Sequence, residues 1–342
     1  MKIIKTKEIE NYLNRINNNL YTNYQNDYLD CYVELKDETK AKKELLKAGQ
    51  QEFKYNKKTS LFINTKKWIN NPYFQNVHFE NIKNNNFSYK KTIINKGLLF
   101  NADSICDDKD RELKDWLKLR GLDKDLETLF LYQNNKEWMM AVPSESITND
   151  PFAKKAHGKV ITFGLGIGYF TYMALLNKNV ESITVIEKSK EVIQLFNSIK
   201  KQFPNNNRIK IINADAFTYF DEKHLKNYDY IYVDIYKSSN DGREVIEKLL
   251  EQYNPPVNKC DFWIEKSCLN VVRTLIYLHY DELVYNRKNK VKKSYSSLMK
   301  KVRLYFETIN KEIKDVNALK DIMYSTEVIR NILSIKLENK GK

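Results

Sequence analysis

The sequence predicts an α/β protein built on a doubly wound, mainly parallel sheet, and two observations carry that prediction. From Lys159 onward the runs VITFGLG, SITVIE, IKIINAD, YDYIYVD and FWIEKS are short, β-branched or aromatic, and separated by helical stretches. Strands covered on both faces read as continuous apolar runs, and their alternation with helices implies parallel βαβ units. The first of these runs also opens into GLGIG, which places three of the chain's 9 glycines within five positions. Right-handed crossovers then make 3-2-1-4-5 the expected strand order.

The flanks read differently. Residues from about Thr6 to Thr59 form a helical leader rich in Asn, Lys, Glu and Tyr, with a helix expected near Asp37 to Gln50. NVHFENI and YKKTIINKGLLF read as strands, with Asn84, Asn85, Asn86 and Gly97 supplying turn chemistry. A helix is expected near Arg111 to Leu119. TLFLYQNNKEWMMAV then reads as a hairpin around Asn134-Asn135 that feeds into PSES. After Asn270 the chain looks helical to its end. This divides it into an accessory helical and small-β region (1–125), a ligand-binding domain (126–270) and a helical C-terminal extension (271–342).

Composition narrows the class. At 342 residues, 42% hydrophobic and 13% aromatic, the chain has ample material for a core. Its net charge of +14 comes with heavy use of Lys, Asn, Ile and Tyr, as an AT-rich genome would produce without functional demand. The four cysteines show no C-x-x-C spacing and the four histidines are scattered, so neither a zinc site nor a disulfide framework is expected. The charged start and the absence of an apolar run of about 18 residues give a cytoplasmic protein with no membrane partner as the expectation.

Gly164, Gly166 and Gly168 lie in the turn between the first strand and its helix. Glycine there lets a ligand approach the backbone and tolerates positive φ; a tight turn packing helix on strand is the plainer reading. Spacing selects among ligands. A dinucleotide fingerprint requires glycine at position 169, which is Tyr169, and no G-K-[ST] follows for a phosphate loop. A nucleoside-type ligand without pyrophosphate remains.

The next strand ends support it. Glu187 ends the second strand 19 residues after Gly168, where a carboxylate can accept from two ribose hydroxyls, with Lys188 beside it. Asp215 ends the third strand, where it can accept from an adenine amine while Ala216 or Phe217 bounds the ring; as a helix N-cap it would look the same. Asp234 ends the fourth strand and faces the crevice outside the carboxyl ends.

FGLGIG, the acidic end of VIE, NADAF and YVD together resemble the motifs of class I S-adenosylmethionine-dependent methyltransferases, over roughly Lys159 to Ser267. The resemblance implies a Rossmann-like fold with S-adenosyl-L-methionine as cofactor. It further implies that the loop from Gly164 through Leu165, Gly166 and Gly168 holds the methionine portion, with Tyr169 above it. Glu187 would take the ribose and Asp215 the adenine, and Asp234 would lie near the transferred methyl. The stretch WMMAVPSESITNDPFAKKAHGKVITFGLG, with VDIYKSSNDG and WIEKS, also looks like poorly characterised bacterial methyltransferase-like proteins. The hairpin-then-sheet layout is similar to that of spermidine synthases, which pair the fourth-strand aspartate with a carboxylate three residues on; here that position is Lys237.

Methyl transfer needs alignment and proton removal more than an elaborate constellation. Asp234 as base, Tyr236 and Glu145 are the candidate catalytic residues, with Lys237 near them; Tyr169 and Glu145 also have plain packing and capping readings. Ser144 with His157 lacks a strained G-x-S-x-G elbow. The acceptor is unidentified, with a small molecule or protein side chain favoured. After the fourth strand, Asp234-Ile235-Tyr236-Lys237 departs from the D-P-P-Y type of base-amine methylation, and no cysteine follows a proline there for cytosine C5 chemistry. Nucleic acid is hinted at by KKTSLFINTKKW and by residues 287–303, which hold eight basic residues and no acidic one. The rival functions are an aminopropyltransferase and a non-catalytic nucleic-acid-binding protein on the same scaffold.

Overall fold

The computed structural model describes residues 1–20, 28–50, 52–55, 58–79, 87–105, 109–113 and 116–338. The short strand β1 (Lys2–Ile3) leads into helix α1 (Lys7–Leu20), whose Ile9, Tyr12, Leu13 and Ile16 recur at helical spacing and are all buried. Helices α2 (Glu38–Lys47) and α3 (Glu52–Tyr55) pack with strand β2 (Phe62–Ile63). Two short helices follow, α4 (Thr65–Ile69) and α5 (Pro72–Asn76), each capped by an asparagine side chain, Asn64 and Asn71.

Two small sheets come next. Strands β3 (Phe87–Ile94), β4 (Phe100–Asn101), β5 (Leu119–Leu122), β6 (Leu126–Gln133) and β7 (Lys136–Met140) form them in the orders β2-β5-β4 and β3-β6-β7. The hairpin expected around Asn134-Asn135 joins β6 to β7, and both asparagines adopt positive φ, 50° and 63°, as a two-residue hairpin turn requires. The helix expected near Arg111 to Leu119 is not present in the described residues. Instead a 3-10 turn covers Lys109–Arg111, and Leu119–Leu122 is a strand whose Leu119 and Leu122 are buried. Non-local pairing with β2 and β4 overrides the local helical pattern. NVHFENI is not a strand where it is described: Asn76 ends α5 and residues 77–79 are irregular. Cys106 and the Asn84 to Asn86 turn fall outside the described residues.

The main sheet is as the sequence predicts. Helix α6 (Pro143–Lys155) precedes β8 (Gly158–Phe163), and α7 (Tyr169–Leu175), β9 (Val180–Glu187), α8 (Lys190–Ile199), β10 (Ile209–Asn213), α9 (Ala216–Tyr219), α10 (Glu222–Leu225), β11 (Tyr230–Val233), α11 (Ser239–Gln252) and β12 (Cys260–Phe262) follow. The five strands are all parallel in the order β10-β9-β8-β11-β12, which is 3-2-1-4-5 in order of appearance. Alternate side chains serve opposite faces. Ile161, Phe163, Ile231 and Val233 enter one core, while Val160, Tyr230 and Tyr232 enter the other. That two-sided burial is why these strands carry no polar alternation.

The chain closes with α12 (Glu265–Cys268), α13 (Asn270–Tyr285), α14 (Ser296–Glu307), β13 (Glu312–Ile313), α15 (Val316–Tyr324) and α16 (Thr326–Leu333). These helices share one core with α1, and β13 pairs in parallel with β1. No helix of the described residues is long and apolar enough to cross a membrane.

Candidate functional site

Strand order reverses between β8 and β11, so the connections leaving them diverge and a crevice of about 640 Å³ opens at the carboxyl ends. The turn after β8 forms one wall. Gly164 has φ +94°, and a Cβ there would fall 1.9 Å from the backbone oxygen of Asp234. At Gly168, φ +77°, a Cβ would lie 2.8 Å from the rings of Phe196 and Phe203. At Gly166 it would meet the Met139 thioether at 2.6 Å. Protein atoms occupy the side-chain space at all three positions. The turn and its packing therefore require glycine at these positions on their own account, which is the plainer of the two readings the sequence allows.

Two elements of the N-terminal region hold this loop. From α5, the Tyr73 hydroxyl donates to the Ile167 carbonyl at 2.6 Å in a buried contact, and Asn71 donates to the Tyr169 hydroxyl at 2.7 Å. Tyr169 in turn donates to Asp150 at 2.7 Å. Its hydroxyl is thus engaged on both sides, and burial with Asp150 nearby pushes its pKa up. From the hairpin, Trp138, Met139 and Met140 line the crevice. The sequence reading did not single out Asn71, Tyr73 or Asp150, since the Tyr73 bond spans 94 positions. Tyr73→Phe should cost about 1–2 kcal/mol by stranding a buried carbonyl. It should also speed amide exchange at Leu165 to Tyr169, and urea titration with hydrogen–deuterium exchange mass spectrometry checks both.

The second and third strand ends form the next wall. Glu187 accepts from the Leu165 amide at 3.1 Å and the Ser189 amide at 2.8 Å, tying the glycine loop to the tip of β9. An ionised carboxylate retains further lone pairs for a ligand. Asp215 caps α9 by accepting from the Phe217 amide at 2.9 Å, and its other oxygen pairs with the exposed Lys188 at 2.9 Å. Lys188 first, then that amide, holds Asp215 below the usual carboxylate range. The capping role is the plain reading of Asp215, and it coexists with a place in the crevice: Glu187, Lys188, Asp215, Ala216 and Phe217 all line it.

Asp234 and Glu145 form the floor. The Asp234 amide donates to Phe163 O at 2.9 Å, which fixes the tip of β11 against β8. Glu145 lies in the first turn of α6, and that helix is clamped one turn further on. Asn149 accepts from the Tyr232 hydroxyl at 2.8 Å, and Thr148 accepts from Trp263 Nε1 at 2.9 Å. Both carboxyls are half-buried and line the crevice, and no side-chain hydrogen bond from any described residue reaches either. Burial pushes Glu145 up to about 7, and burial followed by repulsion from Glu145 raises Asp234 well above the ordinary range.

The remaining candidates separate from this pair. Tyr236 also lines the crevice, but it is buried with its hydroxyl donated to Trp263 O, and its ring packs against Gly242. Lys237 is exposed at the rim. Ser144 lies in the first turn of α6 and His157 two residues beyond its last, where the His157 ring contacts the Lys155 carbonyl, so they do not meet. In the basic stretch 287–303, Arg287 pairs with Asp281, Arg303 with Glu282, and the buried Lys301 with Glu247 and Glu251. Lys288, Lys290, Lys292, Lys293 and Lys300 are exposed. Of KKTSLFINTKKW, Leu61 and Phe62 are buried, Trp68 donates to Ser146, and Lys57 falls outside the described residues.

No family model matches the sequence, and no curated protein is similar to it. Solved structures do show a distant likeness. Spermidine synthase from Thermotoga maritima matches at 16% identity and TM-score 0.28 over 37% of this chain and 47% of that one. A Streptococcus mutans protein assigned to the SAM-dependent methyltransferases matches at 15% and 0.27, over 43% and 48%. The methyltransferase domain of a bacterial Hen1 protein matches at 24% and 0.23, over 28% and 53%. The chain spans about half the length of the solved structures it matches. Values this low assign neither activity nor substrate.

Proposed function

We propose that the protein is an S-adenosylmethionine-dependent methyltransferase acting on a small molecule or a protein side chain. The observation that carries this is the convergence of the glycine turn, Glu187, Asp215 and Asp234, each at the carboxyl end of a successive strand, on one crevice. Glu187 and Asp215 stand on neighbouring strands, with Asn213 in register with Glu187. A nucleoside laid across strands about 4.8 Å apart can meet one carboxylate with its ribose and the next with its base. The backbone of Gly164 to Gly168 would face the amino-acid tail. When bound, the cofactor supplies a methyl group on an activated sulfonium leaving group. The chain's own work is then to align the acceptor above Asp234 and receive its proton.

Isothermal titration with S-adenosylmethionine, S-adenosylhomocysteine and the decarboxylated cofactor tests the reading. Micromolar binding of the first two is expected, and Glu187→Ala should weaken it at least tenfold, about 1.4 kcal/mol, without loss of solubility. Preference for the decarboxylated form would move the assignment to aminopropyl transfer, against which Lys237 stands. No binding of any of the three would refute a cofactor site.

A further inference from the structure

We infer that the segment from Asn64 to Asn76, which contains α4 and α5, is a positioning element of the ligand site: it holds the glycine loop and helix α6 in fixed relation, and the crevice is incomplete without it. The inference rests on the methyltransferase reading for the identity of the ligand, while the mechanical link stands on hydrogen bonds alone. Trp68, Asn71 and Tyr73 lie outside the crevice lining, so they act through the residues they hold.

The chain itself fixes the direction of each bond. Asn71 Oδ1 caps α5 by accepting from the Tyr73 amide at 2.9 Å, which leaves Nδ2 to donate to the Tyr169 hydroxyl. That hydroxyl has one proton, and it goes to Asp150 on α6. Tyr73, buried, donates to the carbonyl of Ile167, the residue between Gly166 and Gly168. Trp68 Nε1 donates to the Ser146 hydroxyl at 2.8 Å, and Ser146 donates onward to the Pro143 carbonyl at 2.9 Å. One short segment thus grips the loop at Ile167 and Tyr169, and α6 at Ser146 and, through Tyr169, at Asp150. Packing stiffens the grip. The Trp68 and Phe74 ring centroids lie 4.2 Å apart, Phe74 stacks on Tyr169 at 5.7 Å, and Tyr73 meets Tyr169 and Tyr172 edge-on at 5.1 and 5.4 Å.

The loop needs support from outside. Gly164, Gly166 and Gly168 all have positive φ, and glycine loses more conformational freedom on ordering than any other residue. Glu187 ties the near half of the loop through the Leu165 amide, and α5 ties the far half, from Ile167 to Tyr169. A ligand that meets a loop already ordered keeps the affinity that ordering would otherwise consume. Helix α6 presents Glu145 and Asn149 to the same crevice, so the segment also sets where those two groups stand relative to the loop.

Calorimetry with S-adenosylhomocysteine on the full chain, combined with hydrogen–deuterium exchange, tests the inference. Tyr73→Phe keeps the ring and removes the donor, whereas Asn71→Ser keeps an α5 cap but is too short to reach Tyr169. Each should weaken S-adenosylhomocysteine by at least about fivefold. Asp315 caps α15 through the Ala318 amide, so Asp315→Ala controls for loss of stability alone, and its affinity should stay within about twofold of wild type. In the ligand-free protein, Tyr73→Phe should speed exchange at Ser146 to Asp150 as well as in the glycine loop. S-adenosylhomocysteine should in turn slow exchange in α5 of the wild type. An affinity loss that merely tracks stability across the three variants, or exchange changes confined to α5, would overturn the inference. A wild-type chain that binds no S-adenosylhomocysteine, while Tyr73→Phe still loosens the loop and α6 together, would remove the cofactor reading and leave the mechanical link standing.

Discussion

Gly164→Ala should destabilise the fold by about 3 kcal/mol or more, the sum of backbone strain and a steric conflict that nothing flexible can relieve. At φ +94° an alanine is already strained, and its Cβ would sit 1.9 Å from Asp234 O. That oxygen belongs to the backbone just after β11, which is locked to β8 through four residue pairs ending at Val233 and Phe163. Relief requires the two central strands to part. Gly166→Ala provides the internal comparison, because its obstacle is the end of the Met139 side chain, which can swing. Urea titrations of the two variants should differ by at least about 2 kcal/mol. Equal losses would mean that the β8–β11 junction yields as easily as a methionine side chain.

Arg330→Met should cost about 3–5 kcal/mol, the usual loss when one partner of a buried ion pair is removed. Arg330 is fully buried, donates through Nε and Nη2 to Glu265 at 2.6 and 2.7 Å, and reaches the Cys260 carbonyl at 3.0 Å. Its guanidinium also lies over the Phe262 ring at 5.0 Å. The side chain therefore ties α16 to β12, the last strand of the main sheet, and to α12. The double variant Arg330→Met/Glu265→Gln should recover at least half of the loss, since the stranded carboxylate is then neutral. Chemical denaturation of the single and double variants measures the coupling, and the absence of any recovery would make the loss one of packing instead of charge.

How much of this was legible in the sequence depended on whether the deciding contacts were local. The five parallel strands and their order could be read because burial on both faces writes itself into each strand as an unbroken apolar run. The hairpin could be read because Asn134-Asn135 satisfies a turn that needs positive φ twice in succession. Glu187, Asp215 and Asp234 could be placed at the crevice because strand ends in such a sheet face one side. Leu119–Leu122 could not, because its strand character comes from partners at Phe62 and Phe100. The same holds for Tyr73, whose hydroxyl finds its acceptor on a distant loop. For the glycines, the sequence located the turn correctly but could not reveal that Asp234, Met139 and two phenylalanines already fill the space beside them. Glu145 was singled out by its position before the first strand, whereas its place on the crevice wall depends on how α6 is pinned.

The pairing of β1 with β13, Lys2 opposite Glu312, and the burial of α1 among the final helices have a consequence for biogenesis. Ile9, Tyr12, Leu13 and Ile16 have their seat among residues that leave the ribosome some 260 or more positions later. At a synthesis rate of about 5–20 residues per second, the first helix waits on the order of ten seconds or longer with its apolar face uncovered. During that interval the nascent chain carries an uncovered apolar helix face, and the emergence of α13 to α16, more than completion of the central sheet, sets the moment at which this surface disappears.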